Sequence, residues 1–178
     1  MKEVLDAIVK RRSIRSYTGE PIEDWQVENL VKAFMYAPSG HNYRPWHLII
    51  VKNRDILIKL SQATPWGGML KSASLAFVVL GDPNISNLWI EDCSAATENV
   101  LLEATHLGLG SCWVQVRDVK KGMDTEEEVR RILGIPEKYR VLNMIAIGVP
   151  QEIKPIHTEK EIEKEKIHYE RFGNHKKR

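Results

Sequence analysis

Apolar residues recur every three or four positions near the N-terminus, at Val4, Leu5, Ile8 and Val9, the spacing of an amphipathic helix. The stripe ends in the basic run Lys10-Arg11-Arg12-Ser13-Ile14-Arg15, and Thr18-Gly19-Glu20-Pro21 signals a turn. Val27, Leu30, Val31, Phe34 and Met35 repeat the helical spacing, with Asp24 as the expected N-cap and Pro38-Ser39-Gly40 as the break. Residues 47–52 (HLIIVK) read as a buried strand, followed by a short helix over about 56–63 and a loop, Thr64-Pro65-Trp66-Gly67-Gly68. Residues 74–80 (SLAFVVL) form a second strand. The longest helix runs from about 88 to 107, with Ala96, Val100, Leu101, Ala104 and Leu107 on its buried face and Gly108 at its end. Residues 111–116 (SCWVQV) read as a strand or extended loop. Residues 125–133 read as a helix capped by Asp124 or Thr125, and 141–149 (VLNMIAIGV) as a fourth strand.

Helices alternating with strands point, on pattern alone, to an α/β protein with a parallel sheet. From residue 152 the chain changes character: charged residues dominate and apolar ones are sparse. Such a tail cannot bury itself alone; it is either mobile or laid against something else.

The length of 178 residues suits one domain, and 43% apolar residues suffice for a core. The balance of 26 basic and 24 acidic side chains, a net +2, removes a broad electrostatic case for nucleic acid. No run approaches the ~18 apolar residues of a membrane helix, and charge interrupts the N-terminal apolar pattern, so neither an anchor nor a secretion signal is expected. Two cysteines, Cys93 and Cys112, form no scaffold, and a cytoplasmic location is the expectation.

Two segments carry candidate chemistry. Arg11-Arg12-Ser13-Ile14-Arg15 sets guanidinium forks around a hydroxyl, which suits a phosphate; it also suits a solvated helix end complementing the dipole. Pro38-Ser39-Gly40-His41-Asn42-Tyr43-Arg44-Pro45-Trp46-His47 packs turn formers, amides and aromatics into ten residues before a strand. It reads either as a ligand loop or as a polar turn anchored by Trp46. Gly108-Leu109-Gly110 begins like a dinucleotide fingerprint, but Trp113 occupies the third glycine position and the order is helix then strand, which disfavours a Rossmann domain. No P-loop and no metal-ligand spacing are present in the sequence, and Cys112 reads as buried packing.

Taken in order, RRSIR, APSGHNYRPWHLIIV, ATHLGLGSCWV, and IAIGVP followed by a charged tail with HYERFG resemble the nitroreductase family of flavin enzymes. The resemblance implies an α+β fold, a mostly antiparallel sheet flanked by helices, in place of the parallel sheet. It implies an FMN-binding domain over residues 1–151 and, over 152–178, a charged arm of the same domain that reaches a partner subunit. It places Arg11, Arg12, Ser13 and Arg15 at the flavin phosphate and ribityl chain, and Pro38, Ser39, Gly40 and Asn42 along the ring and ribityl chain. Ser111, Trp113, Val114 and Gln115 fall by the N5 and O4 edge. Where the family adds a basic tail residue to the phosphate, this chain reads Thr158-Glu159-Lys160-Glu161, and Lys160 is the stand-in.

The implied activity is transfer of reducing equivalents from NAD(P)H to a nitroaromatic, quinone or similar small acceptor. It follows a ping-pong scheme, in a homodimer with flavin at the interface and no catalytic acid or base side chain. Flavin dehalogenases and oxidases share the resemblance. From another class, the rival is a nucleic-acid module using RRSIR and the terminal His175-Lys176-Lys177-Arg178.

Overall fold

The computed structural model describes residues 3–117 and 124–175. Four strands, β1 (Trp46–Val51), β2 (Leu75–Gly81), β3 (Gly110–Gln115) and β4 (Arg140–Gly148), form one sheet in the order β1-β2-β4-β3. Every pairing is antiparallel. The parallel sheet suggested by the apolar pattern is therefore corrected, and the α+β fold implied by the resemblance is the one observed.

The reason lies in burial. Among the described residues, α2 (Asp24–Met35) and α4 (Trp89–His106) cover one face and α3 (Arg54–Gln62) and α5 (Thr125–Leu133) the other, while α1 (Glu3–Lys10) packs on α4. Leu75, Phe77 and Val79 of β2 pack against α2 and α4, whereas Ala76, Val78 and Leu80 pack against α3 and α5. A strand buried on both sides has no polar face, so β2 and β4 read as continuous apolar runs, as parallel strands do. The edge strand β1 is less covered than its sequence suggests: only its end residues, Trp46 and Val51, are buried, and Ile50 is exposed.

Local chemistry fixes the helix ends. Glu23, one residue before the expected Asp24, caps α2 in a capping box with Gln26. Asp124 caps α5 by accepting from the Glu127 N–H at 3.2 Å, and Gly134 closes it in the left-handed region.

Two glycines place the N-terminal segment. A Cβ on Gly110 would fall within 3.0 Å of Ile14 Cβ, and one on Gly148 within 3.1 Å of Tyr17 Cδ1. Gly110 and Gly148 are register partners at one end of the sheet, so residues 14–17 lie across that end where any larger residue would push them off. Ile14 N–H donates to the Ser111 carbonyl at 2.9 Å, and Thr18 N–H to Val149 at 3.0 Å. The Tyr17 hydroxyl donates toward the Ile14 carbonyl at 2.6 Å.

The tail lies against this segment. Gln151 N–H donates to the Ser16 carbonyl and His157 N–H to the Val9 carbonyl, both at 2.9 Å. Beyond it, Ile162, Ile167, Tyr169 and Phe172 are all exposed. Residues 176–178 of the terminal basic run lie outside the described residues. Among the described residues no helix is long and apolar enough to cross a membrane.

Candidate functional site

The start of β3 and the segment after α1 meet at one corner of the sheet. Ser13 bridges Ser111, and its carbonyl receives Lys154 Nζ at 2.6 Å and Arg15 Nη1 at 3.4 Å. Two cations thus converge beside one hydroxyl residue. The Glu152 carboxylate accepts the Arg15 backbone N–H and lies 3.5 Å from Lys154. That backbone hydrogen bond, with Lys154 beside it, holds the Glu152 carboxyl below the usual carboxylate range.

The other arginines are engaged elsewhere: Arg11 pairs with Glu98 of α4 at 3.7 Å, and Arg12 donates to the Pro155 carbonyl. Cys112 is buried next to this cluster. Burial pushes its thiol up, with Arg15, Ser13 and Lys154 pulling the other way, so it stays a protonated packing residue at neutral pH.

Lys154 was not among the residues singled out by sequence. Its partner is 141 positions away, a separation no local pattern reports. Lys160 sits on an exposed turn, Glu159–Glu161, and makes no hydrogen bond or ion pair recorded among the described residues.

Beside the cationic corner, a cleft of ≈ 570 Å³ is lined by Arg15, Pro65, Trp66, Gly68, Met69, Trp113 and Gln115. Its volume falls in the range of small-molecule sites. One wall is the open edge of β3. Because the Ser111 carbonyl faces outward to Ile14, alternation turns the Trp113 N–H outward as well, and the Val114 N–H inward to β4. The Val114 side chain is buried in the α3/α5 core, so neither its side chain nor its amide faces the cleft. Gln115 braces the indole: its Oε1 accepts from Trp113 Nε1 at 2.8 Å, and its Nε2 donates to the Arg117 carbonyl at 2.5 Å.

The opposite wall, residues 65–69, was read from sequence only as a loop. The Thr64 hydroxyl donates to the Gln115 carbonyl at 3.4 Å, and Gly67 N–H donates to the Thr64 carbonyl at 3.1 Å, which ties the loop to β3. Trp66 stays 63% exposed on that rigid turn. A tryptophan followed by two glycines was the signal available in the sequence.

The second predicted cluster lies elsewhere. Gly40 N–H is held by Asp92 in the first turn of α4, while Ser111 follows the last turn. The 18-residue α4 spans about 27 Å, so one chain keeps Ser39, Gly40 and Asn42 apart from Ser13 and Ser111. In this loop Pro38 and Asn42 are exposed. Ser39 Oγ accepts the Arg44 N–H at 3.0 Å, and Asn42 Oδ1 accepts Arg44 Nε at 2.9 Å, leaving the Asn42 Nδ2 as a donor. Trp46 is buried, edge-on to Phe34 at 6.0 Å. The buried Trp46 and the exposed polar residues before it match the reading as a polar turn anchored in the core.

A cationic corner opening into an aromatic cleft, on the free edge of an antiparallel sheet between helices, suits an elongated ligand with an anionic end and a planar end. The profile described as the Nitroreductase family matches residues 8–79 and 65–149, and the chain belongs to that family. A protein of Archaeoglobus fulgidus with the provisional name NADH dehydrogenase/NAD(P)H nitroreductase is 41% identical over 177 residues, covering 97% of this chain and 100% of that one. The FMN-dependent nitroreductase of Clostridium difficile superposes with a TM-score of 0.91 at 36% identity, covering 94% and 99% of the two chains. A provisionally named nitroreductase of Desulfovibrio desulfuricans, solved in complex with FMN, superposes with a TM-score of 0.72 at 28% identity, covering 84% and 87%.

Proposed function

We propose that this protein is an FMN-dependent oxidoreductase that takes reducing equivalents from NAD(P)H and delivers them to a nitroaromatic, quinone or similar small acceptor. The observation that carries the reading is the convergence of Arg15 and Lys154 on Ser13 at the mouth of the cleft walled by Trp66 and Trp113. FMN dependence in the name of the Clostridium relative and NAD(P)H in that of the Archaeoglobus relative support it.

The donor set fits FMN. Arg15, Lys154 and the Ser13 hydroxyl suit a phosphate through charge-assisted hydrogen bonds. FMN, when bound, supplies the hydride chemistry through its ring. The residues of this chain bind and tune. The outward Trp113 N–H is a fixed donor for negative charge building on the ring. Gln115 locks the Trp113 indole, and Trp66 and Trp113 supply aromatic walls for the ring. Reductant and acceptor use the one cleft in turn, which is the ping-pong order.

The complete site takes two chains. Val4, Leu5 and Ile8 of α1 are 71%, 63% and 45% exposed, although they form that helix's apolar stripe. A groove of ≈ 340 Å³ beside them is lined by Val4, Ala7, Ala33, Asn99, Leu102, Glu103 and His106. Such a face is an interface signature. A two-fold axis across α4 sets the start of one α4 beside the end of the other. It thereby brings Ser39, Gly40 and Asn42 of one copy to Ser13 and Ser111 of the second. Residues up to His157 stay on their own chain, and the exposed Ile162, Ile167, Tyr169 and Phe172 beyond them then lie along the partner as an arm.

Purification with flavin extraction, followed by anaerobic titration with NADH and NADPH, tests the function. The expected result is a yellow protein whose flavin absorbance bleaches with reductant and returns with a quinone. A protein that neither retains nor rebinds FMN contradicts it.

A further inference from the structure

We propose that Asp92 is a positioning residue for the electron-transfer site: its carboxylate holds residues 39–44 in the shape that presents Asn42 to the flavin. The inference rests on the reading that this loop completes the cofactor site.

Asp92 is 5% exposed in the first turn of α4. Its Oδ1 accepts the Gly40 N–H at 2.8 Å, and its Oδ2 accepts the Ser86 hydroxyl at 3.4 Å. No ion pair to it is recorded among the described residues. A buried carboxyl group needs hydrogen bonds in place of its hydration, and the Gly40 N–H at 2.8 Å is the shorter of the two that Asp92 receives on its side chain.

The loop needs such an anchor. His41, Asn42 and Arg44 have φ of 50°, 58° and 48°, left-handed values unfavourable for residues with a Cβ. Their other hydrogen bonds stay within the loop: Asn42 N–H to the Ser39 carbonyl and Tyr43 N–H to the Gly40 carbonyl, both at 3.0 Å, and Arg44 to Ser39 and Asn42. Among the described residues, the Gly40–Asp92 bond alone joins residues 39–44 to the scaffold by hydrogen bonding. Asp92 therefore acts on the flavin through the position of Asn42, without touching it.

The test is FMN affinity of full-length apoprotein in a double-mutant cycle. Asp92→Ala is expected to weaken FMN binding about tenfold. Asp92→Asn, which keeps an oxygen acceptor for the Gly40 N–H, is expected to weaken it less, about threefold. In an Asn42→Ala background both changes should shrink below about twofold, because the group being positioned is gone. The flavin midpoint potential of Asp92→Ala should move in the same direction as that of Asn42→Ala. If the alanine protein does not fold, Asp92→Asn in the two backgrounds carries the cycle alone. Equal losses in both backgrounds, or no loss with Asn42 present, overturn the role of Asp92. An Asn42→Ala protein with unchanged FMN affinity overturns instead the reading that this loop contacts the flavin, and the proposal with it.

Discussion

Replacing Lys154 with alanine should weaken FMN binding about tenfold while leaving riboflavin binding unchanged. Lys154 Nζ lies 2.6 Å from the Ser13 carbonyl, with its side chain 25% exposed. A hydrogen bond to a charged group contributes roughly 1.5–3 kcal/mol. Partial exposure and Glu152 at 3.5 Å pull the expected value to the lower end, about 1.5 kcal/mol, or roughly one decade in affinity. The assay is fluorescence titration of apoprotein at fixed ionic strength, once with FMN and once with riboflavin, which lacks the phosphate. Lys160→Ala serves as the comparison and should stay within about twofold of the parent, as expected of an exposed surface charge. A Lys154→Ala protein that loses riboflavin as badly as FMN would show that the residue supports the fold rather than the phosphate. A larger FMN loss in Lys160→Ala would restore that residue to the site.

Asn42→Ala should shift the flavin's affinity or potential. Asn53→Ala should do neither, but it removes the α3 cap that accepts the Ile56 N–H at 3.1 Å and should lower stability by about 1 kcal/mol in thermal unfolding. Truncation after Pro150 removes Glu152, Lys154 and the exposed apolar residues of the arm; sedimentation and flavin content should show a protein less dimeric and poorer in FMN, since a ligand bound only by the assembled form stabilises it. Glu126 is the acid-sensitive group of the α5–β4 contact. Burial raises its pKa, but hydrogen bonds from Arg140 at 2.8 and 2.9 Å and from the Val141 N–H outweigh this and hold it below 4.5. A depressed carboxylate stabilises above its unfolded pKa and loses that contribution as pH falls through its folded pKa. Glu126→Gln should therefore cost about 1 kcal/mol at pH 7, discounted for the exposed Arg140, and the gap should close toward pH 3 in paired urea melts.

The helices and strands were legible because each has an apolar period or run bounded by caps, glycines and prolines; α5 starts and ends where Asp124 and Gly134 said it would. Strand direction was not legible, since β2 and β4, covered on both faces, carry no alternation to distinguish antiparallel from parallel. Arg15, Trp113 and Gln115 were legible as motif residues and do meet at the cleft. Lys154 was not, because its role depends on a tail folding back to Ser13. Nor could the sequence tell that Asn42 and Ser13 lie at opposite ends of α4, a separation set by the register of the sheet and the length of one helix.

The central claim is a flavin site shared between two chains, and a mixed dimer tests it most directly. Chains carrying Lys154→Ala and Asn42→Ala, co-expressed with different tags and purified through both, each hold one defect. If the two residues serve one site from opposite subunits, one site is intact and the other doubly impaired, so FMN titration should show one wild-type affinity and one weakened by the product of the two single losses. Two sites, each carrying one single loss and neither of wild-type affinity, would place both residues in the same chain's site and contradict the account.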